Sequence, residues 1–486
     1  MAEQASIIRA GTVITDPSVE PGYLCNAAIY VENATIKAID AFDVLRGKFP
    51  QADVFGNDAA IALPGLINAH DHGRGLSPLS LGIDDDLLEI WILSLLQMPA
   101  LDVAQDTMLS ALKQLKSGIS TTVNSYYHPR NCEENLNAVL SGYAASGIRA
   151  GIVYSAMDDS VVASLLQKAL AVMPAEQRPA VEAFLKQRQP FDVGRYQAVL
   201  QAYASMSNAS RKWLMAGPIS AHWSSDALLQ TIEAAARQLG LHTQMHLLES
   251  PYQARDNGKF PPKSLLRHLE DLGVLHARLS CAHCVQMIED DIAVMAQSGA
   301  SVVHNLSSNL RLRNGLAPVV RMLRAGVNVA LGLDSAALND DADLFQEMRL
   351  VYRSHGALTA REVLAMATIN GAKALGLSDQ LGTIELGKRA DILLLNGDRV
   401  VAPGLMAPHR LFERLVNYAR PEAVHMLFID GEPVIRDGRH PTLDEATLTA
   451  TLHDMAAVER DAKSVETQTM IAEVTPYLRQ LLQDVL

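Results

Sequence analysis

Little in this sequence points to an oxidising compartment, a membrane or a nucleic acid. It has four cysteines, Cys25, Cys132, Cys281 and Cys284, in 486 residues, too few for a disulfide framework. Cys281-Ala282-His283-Cys284 has a CxxC spacing but no second pair to complete a zinc ribbon. It also follows a strand-like run, whereas a redox dithiol usually opens a helix. No stretch of 18 or more residues is apolar and uncharged, so no transmembrane helix is expected. The opening MAEQASIIRAGTVI lacks the basic-then-apolar pattern of a secretory signal, and a cytoplasmic setting is the expectation. No basic run occurs, and 41 basic against 54 acidic residues give a net charge of −13. Such a chain repels phosphate backbones, which excludes a nucleic-acid partner from the expectations.

What remains is a large, ordinary globular composition, 49% hydrophobic and 20% charged. The length suits two or three domains, or one barrel with an appended domain. Residues 5–60 alternate short apolar runs with turn signals, and residues 382–442 read the same way, with a turn at Asp430-Gly431. Neither end has a core of its own, so both ends are expected to build one small composite β-sandwich. Between them, strand-like runs recur at 61–69, 119–124, 148–154, 213–221, 241–247, 278–283, 300–305 and 327–333, each followed by a helix-like or mixed segment. Repeated strand–helix units imply a parallel sheet, and eight suggest a closed (β/α)8 TIM-like barrel. An open doubly wound sheet is the competitor, but no GxGxxG follows the first run. The expected domains are 1–62 and 381–442 for the two parts of the β domain, 63–380 for the barrel and 443–486 for a C-terminal helical extension. Residues 155–212 read as a mostly helical insertion able to help form a lid.

In such a barrel, chemistry sits at the carboxyl ends of the strands, and polar residues fall there. His70 and His72 follow the first run two residues apart, a spacing that turns both rings to one side of a strand. His246 lies near the end of the fifth run with Glu249 three residues on, His283 ends the sixth, and Asp334 follows the eighth. Imidazole and carboxylate together suit zinc, iron, cobalt or manganese better than calcium or magnesium.

These segments resemble the amidohydrolase superfamily, in particular the branch of triazine chlorohydrolases and deaminases of adenosine-like compounds, guanine and cytosine. The matching stretches run from Leu63 to His72, His246 to Ser250, Ala282 to Cys284, His304 to Asn309 and Gly332 to Ser335. The return to the β domain, from Leu381 to Asp391, matches as well. The resemblance implies one divalent metal, zinc by preference, held by His70, His72, His246 and Asp334. It implies Glu249 as the proton shuttle and His283 as the group that orients water or substrate. The fourth run carries no lysine of the kind that bridges two metals in the dinuclear branch.

The implied activity is hydrolysis of a small non-peptide C–N bond, with deamination of an aminated heterocycle preferred. The alternatives are dechlorination, or thiocarbamate, urea or amide cleavage by the same site. A non-catalytic binding or assembly protein on the same barrel is the competing class, against which the complete set of ligands and acid argues. A nucleic-acid editor is disfavoured, because the HxE…PCxxC signature is missing. Candidate pocket residues are Trp91, Tyr126, His128, His222, Trp223, His304 and Asn309. Nucleoside-type relatives carry a histidine directly after Gly-Pro in the fourth run. Here Gly217-Pro218 is followed by Ile219, which points away from nucleoside recognition. A small-molecule substrate and a homodimer or higher homo-oligomer complete the expectations.

Overall fold

The computed structural model describes residues 5–126, 133–187, 190–206, 211–255, 264–400, 410–458 and 463–483. The chain opens with four strands, β1 Ala5–Ile14, β2 Tyr23–Glu32, β3 Thr35–Asp40 and β4 Asp53–Pro64. Eight barrel strands follow: β5 Leu66–Asp71, β6 Ile119–Tyr126, β7 Arg149–Ala156, β8 Lys212–Pro218, β9 Thr243–Leu247, β10 Leu279–His283, β11 Ser301–His304 and β12 Asn328–Leu331. The chain then returns through β13 Ile392–Asn396, β14 Val424–Ile429 and β15 Glu432–Arg436.

Strands β5 to β12 pair side by side in sequence order as one parallel sheet. Every residue of β6, β7 and β10 is buried, so these strands read in the sequence as continuous stretches of apolar and small residues without a polar outward face, β6 being rich in serine and threonine. The seam between β12 and β5 is closed by a side chain as much as by backbone. Leu333 N donates to Asn68 Oδ1 at 2.9 Å, and Leu333 N and Asp334 N reach His70 O at 3.2 and 3.1 Å. That seam fixes Asp334 against His70, so barrel closure and site assembly are one event.

The small domain is one continuous seven-stranded sheet in the order β15-β14-β13-β4-β1-β2-β3. It curls so that Ile8 and Ile29 from the first part share an apolar interior with Ile392 and Phe428 from the second. The apolar run 61–69 is divided between the two domains: β4 ends at Pro64, and Gly65 hands the chain to β5. A Cβ at Gly65 would run into Ser120 Oγ, which is why the crossing takes glycine. The domains are clamped by Arg149 at the start of β7, whose fully buried guanidinium forks onto Asp391 at 3.0 Å and reaches Asp430 at 2.6 Å.

Helices cover the barrel. The helix Asp226–Leu239 is representative: Ser225 caps it by accepting from Leu228 N, and Gly240 ends it at φ 71°. The insertion forms helices Val161–Val172, Pro179–Lys186 and Val193–Tyr203. The C-terminal extension forms helices Glu445–Val458 and Lys463–Gln483. The second packs Met470, Ile471, Val474, Leu478 and Leu482 against Leu87, Ile90, Leu93 and the insertion's Val161, Leu165 and Leu166. No helix among the described residues is long and apolar enough to cross a membrane.

Candidate active site

Six side chains carried by four barrel strands meet at the carboxyl end of the barrel. His70 lies in β5 and His72 just beyond it, His246 in β9 with Glu249 after it, His283 ends β10, and Asp334 follows β12. The backbone is bent to bring them in. Leu248, His283 and Asp334 have φ of 47°, 73° and 59°, a left-handed region that non-glycine residues enter only when the surroundings hold them there.

The ring tautomers follow from what the outer nitrogens touch. His72 Nδ1 lies 2.8 Å from Ser125 O and His246 Nδ1 2.6 Å from Ile219 O. A carbonyl only accepts, so both Nδ1 atoms carry hydrogen and both Nε2 atoms present lone pairs. His70 Nδ1 meets Gln244 Oε1 at 2.8 Å, and the amide is oriented by its nitrogen donating to Ala69 O and Ser280 Oγ at 3.0 Å. The three Nε2 atoms then converge. His246 Nε2 is 3.2 Å from His72 Nε2, and His70 and His72 Nε2 each lie 3.1 Å from Asp334 Oδ1. Acceptors facing acceptors at these distances repel unless a cation lies among them. The donor set therefore fits a divalent metal of the borderline class. Ligating atoms of His70, His246, His283 and Asp334 also fall within 4.8 Å of one another.

Burial sets the electrostatics. It drives His246 well below its ordinary value, helped by the neighbouring imidazoles, and pushes His283 down to about 4. Burial alone would raise Asp334, but His283, His70 and His72 outweigh it and hold the carboxyl well below the usual range. Burial also opposes the charged form of His72, and Asp334 overcomes it, so that ring is raised. Glu249 goes the other way: burial, with Asp334 and Glu89 as negative neighbours, lifts it well above the usual carboxylate range. The site thus holds one firmly ionised carboxylate and one poised to carry a proton, the separation that acid–base chemistry needs.

Glu249 Oε1 stands 3.7 Å from His283 Nδ1 and accepts from Asn314 Nδ2 at 3.1 Å. His283 Nδ1 is 2.8 Å from Asn309 Oδ1, and its Nε2 lies 3.6 Å from Asp334 Oδ2 and 3.4 Å from Asn305 Nδ2. Ser308 Oγ donates to Asp334 Oδ2 at 2.7 Å. His72 keeps 30% of its side chain exposed, against 3% or less for His70, His283, Glu249 and Asp334. The site therefore meets solvent on the His72 side.

Of the candidate pocket residues, Asn309 touches the site through His283. His304 faces a different partner, with Nε2 3.3 Å from His355 Nε2. Trp91 packs with Leu88, Leu312 and Leu338, Trp223 with Ile219 and the terminal helix, and Tyr126 in the main core. His222 sits half-buried in the turn Ala221–Trp223 after β8. His128 lies outside the described residues. Cys281 and Cys284 are buried, the latter thiol pointing to the former's carbonyl at 3.7 Å. Sequence reasoning missed Gln244, Ser308 and Asn314. Gln244 left a signal, since it precedes His246 by two residues and so shares its face of β9, and Ser308 lies within the matching stretch His304 to Asn309.

Fold and site together define a barrel hydrolase with a divalent-metal site and a separate proton carrier. Residues 61–434 match the family described as Amidohydrolase family, and the chain belongs to it. It is 31% identical over 434 residues to a 5-methylthioadenosine/S-adenosylhomocysteine deaminase of Desulforudis audaxviator, covering 86% of this chain and 92% of the relative. An adenosine deaminase of Xanthomonas campestris with bound zinc superposes with a TM-score of 0.78 at 25% identity, covering 93% of this chain and 98% of that one. An atrazine chlorohydrolase of Arthrobacter aurescens, complexed with zinc, shares the fold at a TM-score of 0.79 and 22% identity, over 93% and 99% of the chains. The protein is a metal-dependent hydrolase of C–N bonds, and relatives of it include deaminases.

Proposed function

We propose that this enzyme hydrolytically deaminates a 6-aminopurine nucleoside, with His70, His72, His246 and Asp334 holding one zinc ion. The carrying observation is the pair of lone-pair nitrogens, His72 Nε2 and His246 Nε2, set 3.2 Å apart beside Asp334. Zinc in the adenosine deaminase relative supports the choice of ion. When bound, the ion supplies the acidification of water that yields a hydroxide nucleophile near neutral pH.

The remaining chemistry falls to side chains. Asp334, held ionised, accepts a proton from the attacking water. Glu249, with its raised affinity for a proton, takes one up and delivers it to the purine ring nitrogen beside the amino-bearing carbon. That makes the carbon more electrophilic; the proton held by Asp334 then passes to the amino nitrogen, so that the C–N bond breaks, ammonia leaves and the ring carbonyl forms. His283 is assigned to the substrate side, because its ring spans Glu249 and Asp334 and is held by Asn309 and Asn305. It steadies the charge that develops on the tetrahedral centre.

The nucleoside deaminase relatives support a purine. Ile219 gives that purine no side-chain hydrogen bond, and its carbonyl is engaged by His246. Recognition of the ring edge then falls to neighbours such as Asn309. The test is ammonia release from adenosine, 5′-methylthioadenosine and S-adenosylhomocysteine, beside aminated pyrimidines, pterins and triazines, by zinc-loaded protein. The reading expects turnover of a 6-aminopurine nucleoside, abolished in Glu249→Gln. Turnover of the other rings alone, or release of chloride or an alkylamine from triazines in place of ammonia from purines, would replace it.

A further inference from the structure

The helix Leu344–Ser354 turns Leu344, Phe345, Met348 and Val351 into the main core. Glu347 lies among them in the sequence and is fully buried. A buried carboxyl is costly unless donors compensate it. Here the donors come from two short segments beside the site. Ser307 N donates to Glu347 Oε1 at 3.1 Å, and Leu306 N and the Ser307 hydroxyl also bond the carboxyl. Asn339 Nδ2 reaches Ser307 Oγ at 2.9 Å and Glu347 Oε2 at 3.3 Å, while Asn339 Oδ1 accepts from Asp343 N at 3.1 Å. Burial pushes the Glu347 carboxyl up to about 7, against the Ser307 and Leu306 donors that favour its charged form. The two segments are those that surround Asp334. Asn339 ends the short helix Ala336–Asn339, which follows Asp334 and Ser335 in the chain. The stretch Asn305–Asn309 touches the reacting groups three times. Asn305 Nδ2 lies 3.4 Å from His283 Nε2, Ser308 Oγ donates to Asp334 Oδ2 at 2.7 Å, and Asn309 Oδ1 is 2.8 Å from His283 Nδ1.

We propose that Glu347 is a positioning residue: its carboxyl clamps Leu306 and Ser307 and, through Asn339, the segment after Asp334, and so fixes Ser308 against Asp334 and Asn309 against His283. The proposal rests on the metal reading above and not on the choice of substrate. A carboxylate that is to hold an ion must present one oxygen in a set direction, and Ser308 sets it by engaging the other oxygen, Oδ2. Supports of this kind are worth about 10–100-fold in metal affinity or activity. The clamp reaches the metal site through Ser308 and the substrate side through Asn309, so its loss is felt in both zinc affinity and turnover. A residue that only filled the core would change neither in the folded protein.

The experiment measures zinc affinity by competition with a chelating dye, and kcat with 5′-methylthioadenosine, for wild type, Glu347→Leu and Glu347→Gln. The same substitutions are made in a Ser308→Ala, Asn309→Ala background, and denaturant unfolding is followed alongside. Glu347→Leu should weaken zinc binding and lower kcat by about tenfold or more each. Glu347→Gln keeps an acceptor for the two amides and should recover most of both. In the double-alanine background Glu347→Leu should add little, because the groups it acts through are gone. If Glu347→Leu does not fold, Asn339→Ala cuts the tie on the Asp334 side and carries the same expectations. A folded variant, of lowered unfolding midpoint or not, that binds zinc as wild type does would overturn the clamp. Equal losses in both backgrounds, or a glutamine variant no better than the leucine one, would overturn it as well. The zinc arm needs no substrate, so wild type that binds zinc but leaves the nucleoside intact sinks the nucleoside reading alone. Wild type that binds no zinc sinks the metal reading and the clamp with it.

Discussion

Asn314 Nδ2 donates to Glu249 Oε1 at 3.1 Å. It is the bond that opposes the upward push of burial, Asp334 and Glu89 on that carboxyl. Glu249 must start as a carboxylate to accept a proton, so activity falls as pH drops through its pKa. That limb lies above the ordinary carboxylate range. Asn314→Leu removes a donor that favours the charged form. The acidic limb of kcat/KM should then move to higher pH, and a limb that stays put or moves down contradicts the assignment.

Glu249→Gln keeps the shape but cannot carry the proton. It should retain bound zinc, by elemental analysis, while kcat falls about 10²–10⁴-fold. Loss of the metal together with the activity would mean that Glu249 serves the ion rather than the substrate.

Gln244 fixes His70 from behind, and its removal should be felt at the metal. Gln244→Leu frees His70 Nδ1 and leaves Ala69 O and Ser280 Oγ without that partner. Metal affinity, from competition with a chelating dye, should weaken about 10–100-fold. Unchanged affinity would show that the ring is held by packing alone.

The inter-domain clamp is a folding device. Arg149 is fully buried, and its removal strands Asp391 and part of the Asp430 cluster, which Arg211 and Arg389 also enter. Arg149→Ala should cost about 3–5 kcal/mol in denaturant unfolding, the scale of a broken buried ion pair. A loss below about 1 kcal/mol, the scale of an exposed pair, would contradict that role.

His304 is held neutral. Burial, with His355 and His283 close by, pushes it from 6.5 down to about 3. The unfolded chain binds a proton there that the folded chain refuses, so unfolding gains protons as pH falls. The stability tied to His304 is present above pH 6.5 and is lost as pH falls from 6.5 toward about 3. His304→Gln should flatten the fall of the denaturant midpoint over that window, and parallel wild-type and variant curves would exclude the effect.

Much of this was legible before the structure. Most of the strands β5 to β12 are buried on both faces and print themselves as runs without a polar outward face, and the ligands stand at or near their ends, where a barrel places its chemistry. What the sequence hid is of two kinds. The run 61–69 spans two domains, because apolar periodicity is blind to a crossing made at Gly65 without a polar break. The supports of the site, Gln244, Ser308 and Asn314, are single polar residues whose purpose depends on partners 26 to 174 positions away. The left-handed backbone at Leu248 is likewise imposed by the assembled site, since leucine does not favour it locally. The C-terminal extension reads as helices, and only the packing shows which of its residues meet Leu87, Ile90 and Leu93.

The central claim is that water activated among His70, His72, His246 and Asp334 displaces an amino group with Glu249 as proton carrier. It is tested most directly by running the reaction in oxygen-18 water with zinc-loaded, chelator-stripped and Glu249→Gln proteins. The account predicts ammonia and a product with one labelled oxygen in place of the amino group, from the zinc-loaded wild type alone. Equal turnover by the stripped protein, or a product without the label, would contradict it.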